Sequence, residues 1–200
     1  MPSQTVIHGD CLDIMPDLDA VDCVVTDPPY GLNFQSAHWD ARIPDWLDEA
    51  MRVAPIIAFP TEVMSLWRYP EPDWVCCWYR EASNSHSRLG GFCHWSPVLI
   101  YGEPRFPVDS IKLHAIQHAY PKGFGHPCPK PVALMEWLLR NCCPPGGTVL
   151  DPFLGSGTTL VAAKKLGMNG IGIEREEAYC RMAEERLAKT PEPEPVLLEA

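Results

Sequence analysis

Residues 24–31 read VVTDPPYG. The four at its centre, Asp27, Pro28, Pro29 and Tyr30, put an acid, two ring-locked residues and an aromatic face directly after an apolar, β-branched run. Packing gains nothing from ending a buried strand this way, so the combination calls for a chemical reason. A carboxylate can accept one N–H bond of an amine. Consecutive prolines lock φ and carry no competing N–H, so the Pro28 carbonyl is held as a second acceptor. A flat ring gives an extruded nucleobase a surface to stack on. The set could therefore grip an exocyclic amine and turn its lone pair, otherwise delocalised into the base, toward an electrophile. The amine proton becomes acidic only after transfer, so Asp27 orients first and accepts a proton second. Without chemistry, the same residues would make a rigid strand-to-loop corner.

A second passage, TVLDPFLGSGTTLVAAKKLGMNGIGIE, spans residues 148–174. A strand runs into Asp151, a Gly155-Ser156-Gly157 turn follows, and a helix starts at Thr158. A further strand ends in Glu174. Glycines let a backbone approach a ligand closely, and an acid ending the next strand is placed to hold ribose hydroxyls. No Gly-Lys-Ser/Thr follows, so this is not a P-loop, and Leu160 replaces the third glycine of G-x-G-x-x-G. Asp151 would repel a pyrophosphate. It suits a ligand with an amino group, such as the methionine end of S-adenosylmethionine.

Seven segments read as strands that could position these groups: 5–8, 21–26, 54–59, 74–79, 97–101, 148–151 and 169–174. Most are continuous apolar runs, the pattern of strands buried on both faces. Helices are expected over 44–52, from Pro131, over 158–166 and over 176–189. The alternation predicts an α/β fold with an open, largely parallel sheet. Ser83–Gly91 reads as a loop, Phe106–Pro129 as irregular, and the tail from Thr190 as an extended acidic appendage.

Two hundred residues, 46% apolar, suit one domain. No leader-like start or membrane-length apolar run is seen, so an intracellular, cytoplasmic protein is expected. The nine cysteines include two adjacent pairs and no C-x-x-C, and read as reduced, mostly buried residues. The net charge is −10, yet residues 80–130 carry six bases against three acids and five of the seven histidines. A local basic face on an acidic body is compatible with phosphate contact. His114, His118, His126 and Cys128 lack the zincin pattern, and no metal site is expected. Trp46, Trp67, Trp74, Trp78 and Trp95 read as core.

Taken together, DPPYG, then HPCPKP (126–131), then DPFLGSGTT and GIGIE resemble the amino DNA methyltransferases of the β group, in which the catalytic motif precedes the cofactor loop. IHGDCLDIM, near the start, resembles the segment beside the cofactor adenine, here Asp10 and Cys11. The resemblance spans residues 7–174. It implies a Rossmann-like fold with a seven-stranded, largely parallel sheet and helices on both faces. It also implies S-adenosylmethionine as donor and double-stranded DNA as partner, with direct transfer to the N6 amine of a flipped adenine. A homodimer is common in the group. Asp27, Pro28, Pro29 and Tyr30 would face the target base. Asp151, Phe153, Gly155, Ser156 and Gly157 would shape the methionine pocket, Thr158, Thr159 and Lys130 would lie near the donor carboxylate, and Glu174 would bind the ribose. Residues 31–40 resemble a mobile flap. The rival readings are N4-cytosine methylation and a catalytically idle binding partner with the same fold. One methyltransferase domain over residues 1–189 is implied, with a tail at 190–200. Its target-recognition insert near 103–125 is too short for a separate domain, which needs at least roughly 40 to 50 residues.

Overall fold

The computed structural model describes residues 2–32, 40, 42–80, 93–105, 110–113 and 129–193. Eight strands form one sheet: β1 (Gln4–His8), β2 (Cys23–Val25), β3 (Ile57–Pro60), β4 (Trp74–Arg80), β5 (Trp95–Tyr101), β6 (Ser110–Leu113), β7 (Thr148–Asp151) and β8 (Asn169–Glu174). Their spatial order is β1-β8-β7-β2-β3-β5-β4-β6. β5 alone runs against its neighbours; the other pairings are parallel.

Each of the seven expected segments contributes a strand to this sheet, with β2 shorter than the expected 21–26 and β3 starting three residues later than expected. The eighth, β6, corrects the irregular reading of 106–129, for it pairs in parallel with β4 from Cys77↔Ser110 to Arg80↔Leu113. Four residues between Pro- and His-rich stretches carry too short a pattern to stand out.

Among the described residues, five α-helices accompany the strands: α1 (Cys11–Ile14), α2 (Leu47–Val53), α3 (Val132–Cys142), α4 (Thr158–Lys165) and α5 (Glu177–Lys189). Period-2 alternation explains why both faces of the sheet are covered. Cys23, Val25, Ala58 and Val149 point to the α3/α4 side, packing on Leu134, Leu138, Ala162 and Ala163. Val24, Ile57, Phe59 and Leu150 point the other way, to Trp46, Leu47 and Ala50 at α2. α5 adds a smaller cluster with α4 through Leu160, Ala183 and Leu187.

The tryptophans divide. Trp46 and Trp78 are buried, but Trp67 is 86% exposed, Trp74 54% and Trp95 38%. These three sit on a 3-10 turn (Val63–Arg68) or at strand starts. The described cysteines are free; six are buried and Cys77 and Cys93 half-buried. No described helix is long and apolar enough to cross a membrane.

Candidate active site

The chain leaves β2 toward β3 on one side and leaves β7 toward β8 on the other. Adjacent parallel strands whose connections diverge open a crevice beyond their carboxyl ends, where ligands of open α/β sheets bind. The two sequence motifs emerge at that crevice, Asp27 just after β2 and Asp151 as the last residue of β7.

They are tied together directly. The Thr26 hydroxyl donates to Asp151 Oδ1 at 2.5 Å, and the Phe153 N–H donates to the same oxygen at 3.0 Å. Thr159 bonds the carboxylate as well. Asp151 is 2% exposed. Burial pushes its pKa up to about 6, against those bonds, and the nearby Asp27 charge adds to the rise.

Asp27 holds two donors of its own. Tyr30 Oη donates to Oδ1 at 2.6 Å and Lys130 Nζ to Oδ2 at 2.7 Å. Lys130 also lies 5.0 Å from the centre of the Tyr30 ring. Burial, then the Asp27 charge, lifts the Tyr30 phenol well above its usual range, so its proton stays on as a donor. A carboxylate offers about four lone-pair sites, so Asp27 keeps room for an incoming N–H. Glu62, just after β3, faces the same cluster; burial raises its pKa, and Arg80 lies 3.6 Å away.

Across the crevice, β1 and β8 run side by side with His8 opposite Glu174. This sets Asp10 near the end of β8. Asp10 caps α1, its Oδ1 accepting the Leu12 N–H at 2.9 Å, and Cys11 behind it is a buried thiol pushed up to about 12. Glu174 accepts the N–H groups of Gly155 and Glu176, each at 2.8 Å. Those bonds partly offset the burial that raises its pKa. Three carboxylates, Asp10, Asp151 and Glu174, thus line one edge of the sheet.

The glycine turn is built from behind. Arg186 on α5 donates through Nη1 to the Ser156 carbonyl at 2.5 Å, the Ser156 hydroxyl at 3.0 Å and Thr158 Oγ1 at 3.1 Å. Gly157 caps α4 at φ 83°, and a Cβ there would lie 2.7 Å from Ala183 Cβ and 3.0 Å from its Cα. Gly157→Ala should therefore cost about 3 kcal/mol, summing left-handed strain and overpacking, as read by chemical denaturation. A cost below about 1 kcal/mol would mean that the turn relaxes freely.

The expected residues therefore separate into groups. Asp27, Tyr30 and Asp151 meet at the crevice, with Pro28 and Pro29 in the connecting corner. Gly155 joins Glu174. Phe153 packs edge-on against Trp46 at 5.4 Å. Lys130, expected by resemblance near the donor carboxylate, pairs with Asp27. Ser156 and Thr158 turn to Arg186, and Thr159 to Asp151. Thr26, Glu62 and Arg186 went unread in the sequence, since each acts through a contact far along the chain. Residues 33–39 of the flap, most of 103–125, the three histidines and Cys128 of the metal question, and the tail from 194 lie outside the described residues.

The chain resembles known proteins in sequence and in fold. The sequence profile of the DNA methylase family (N6_N4_Mtase) matches residues 78–185, which include Asp151 and Glu174 but not Asp27. YubD, a methylase candidate of Escherichia coli (strain K12), is 29% identical over 91% of this chain and 89% of its own. The M1.HpyAVI–SAM complex superposes with a TM-score of 0.71 at 24% identity, covering 92% of this chain and 99% of that one. The cytosine-N4-specific PvuII DNA methyltransferase superposes at 0.70 with 15% identity, covering 93% and 86%. With more than half of its residues matched by that profile, the chain belongs to the DNA methylase family.

Proposed function

We propose that this methylase transfers the methyl group of S-adenosylmethionine to the N6 amine of an adenine flipped out of duplex DNA. One observation carries the reading: the 2.5 Å bond from Thr26, the residue before the amine-gripping Asp27, reaches Asp151, the acid that would hold the donor.

The donor set fits S-adenosylmethionine. A buried carboxylate that ionises near neutrality, Asp151, suits its amino group. Glu174, the last residue of β8, and Asp10, two residues beyond β1, suit ribose and adenine contacts. When bound, the donor supplies an electrophilic methyl on a sulfonium. The chain's own residues do the rest. Asp27 accepts one amine N–H, and the Pro28 carbonyl accepts the other. Tyr30 stacks the base while its hydroxyl and Lys130 hold the carboxylate of Asp27 in place. After transfer the surplus amine proton passes to an Asp27 oxygen.

Asp as the first motif residue favours adenine by family resemblance, yet cytosine N4 presents the same pair of N–H bonds. Nucleoside analysis of methylated duplex DNA separates them. N6-methyladenine is the expected product, and N4-methylcytosine would reverse the base assignment while keeping the site.

A further inference from the structure

The Asp27 corner is held by a residue that the proposed chemistry does not use. Asp40 is 2% exposed, and its carboxylate accepts three successive backbone N–H groups, Tyr30 at 2.6 Å, Gly31 at 2.9 Å and Leu32 at 3.2 Å. The carbonyls of the same turn are held from elsewhere. Ser65 Oγ, fully buried, donates to the Tyr30 carbonyl at 2.7 Å, and Arg68 Nη1 donates to the Gly31 carbonyl at 2.9 Å. Gly31 adopts φ 67°, and a Cβ there would come within 2.7 Å of that guanidinium.

Every main-chain polar group of Tyr30 and Gly31 is thus bonded to a side chain outside the motif. Pro28 and Pro29 fix φ on one side only; the torsions at Tyr30 and Gly31 stay soft unless something else sets them. A misplacement of about 1 Å at a reacting group can cost about 100-fold in rate. We infer that Asp40 is a positioning residue that, with Ser65, sets the plane of the Tyr30 ring and the aim of Asp27. The inference rests on the base-pocket reading above.

The test compares wild type with Asp40→Ala, Asp40→Asn and Ser65→Ala. Each is assayed for methyl transfer to mixed-sequence duplex DNA and for S-adenosylmethionine affinity by calorimetry. Asp40→Ala removes all three acceptor bonds, so kcat/KM for DNA should fall by about 100-fold, with donor affinity within about threefold. Asn keeps an oxygen for Tyr30 and Gly31 and loses the Leu32 bond, so it should recover activity to within about tenfold of wild type. Ser65→Ala, which disturbs only the carbonyl side, should cost about tenfold and serves if the Asp40→Ala protein does not fold.

Donor affinity that falls in step with turnover would make Asp40 a general fold residue and overturn the role. So would turnover within about twofold of wild type for both Asp40→Ala and Ser65→Ala, or an Asn variant no better than Ala. Wild type without methyl transfer would instead refute the base-pocket reading itself.

Discussion

Asp27→Ala should bind S-adenosylmethionine with an affinity within about tenfold of wild type, about 1.4 kcal/mol, while methyl transfer falls by at least about 10³-fold. The separation follows from the crevice. Asp27 emerges from β2 and holds Tyr30 and Lys130, whereas Asp151, Gly155 and Glu174 emerge from β7 and β8. On the proposed reading, removing the Asp27 carboxylate would take away an acceptor for the amine and the site that receives its proton. It also breaks the ion pair with Lys130, whose side chain is only 9% exposed. Since Asp27 itself is 25% exposed, the broken pair should cost only about 1–3 kcal/mol of stability, short of the loss seen for fully buried pairs. Asp27→Asn serves as the shape-conserving control. It keeps an oxygen for Tyr30 yet cannot take a proton, and its turnover should stay near that of Ala. Equal loss of donor binding and turnover would move Asp27 to the cofactor side of the crevice.

Asp151→Asn should make the protein more stable at pH 8 and nearly unable to hold its donor. Burial lifts the Asp151 pKa from 3.8 to about 6 in the folded chain. A raised carboxylate pKa contributes stability that is fully present below the unfolded value, near pH 4, and is lost as pH rises through about 6. Above that window the buried charge costs on the order of 3 kcal/mol. Asparagine removes the charge while its oxygen keeps accepting from Thr26 and Phe153 and its amide can donate to Thr159. The expected gain is a Tm about 6–12 °C higher at pH 8, shrinking as the pH falls to 5. The ammonium of the donor loses its counter-charge, so affinity should drop by at least about 100-fold. In wild type, donor binding should weaken as pH falls through 6. A destabilised Asp151→Asn protein, or one that still binds its donor well, would contradict this assignment.

The sequence carried these two acids because each breaks its local pattern. An apolar run that stops at Asp27 or Asp151 and continues into a proline or glycine turn has no packing reason, and both positions fall at the ends of parallel strands. The double-sided burial of β2, β3 and β7 was equally legible, since continuous apolar runs leave few other solutions. Less legible was everything that depends on a distant partner. Arg186 reads as one charge on an amphipathic helix, and only the packing of α5 on α4 carries it to Ser156. Asp40 reads as a loop acid, yet it caps the turn eight to ten residues earlier. Lys130 belongs to a motif that resemblance links to the donor, while its ammonium reaches Asp27. The exposed Trp67, Trp74 and Trp95 misled for a related reason. Aromatic content predicts burial on average, but these three fall on a 3-10 turn or at strand starts, whereas the buried Trp78 lies mid-strand.

The most direct measurement follows the methyl group itself. The protein, loaded with methyl-labelled S-adenosylmethionine, is mixed with duplex DNA of mixed sequence, and the digested nucleosides are resolved by mass spectrometry beside an Asp27→Ala reaction. The crevice described here predicts label on an exocyclic base amine, adenine N6, from wild type and none from the variant. Label on a ring carbon, label from the variant at the wild-type rate, or donor bound with no transfer to DNA would contradict it.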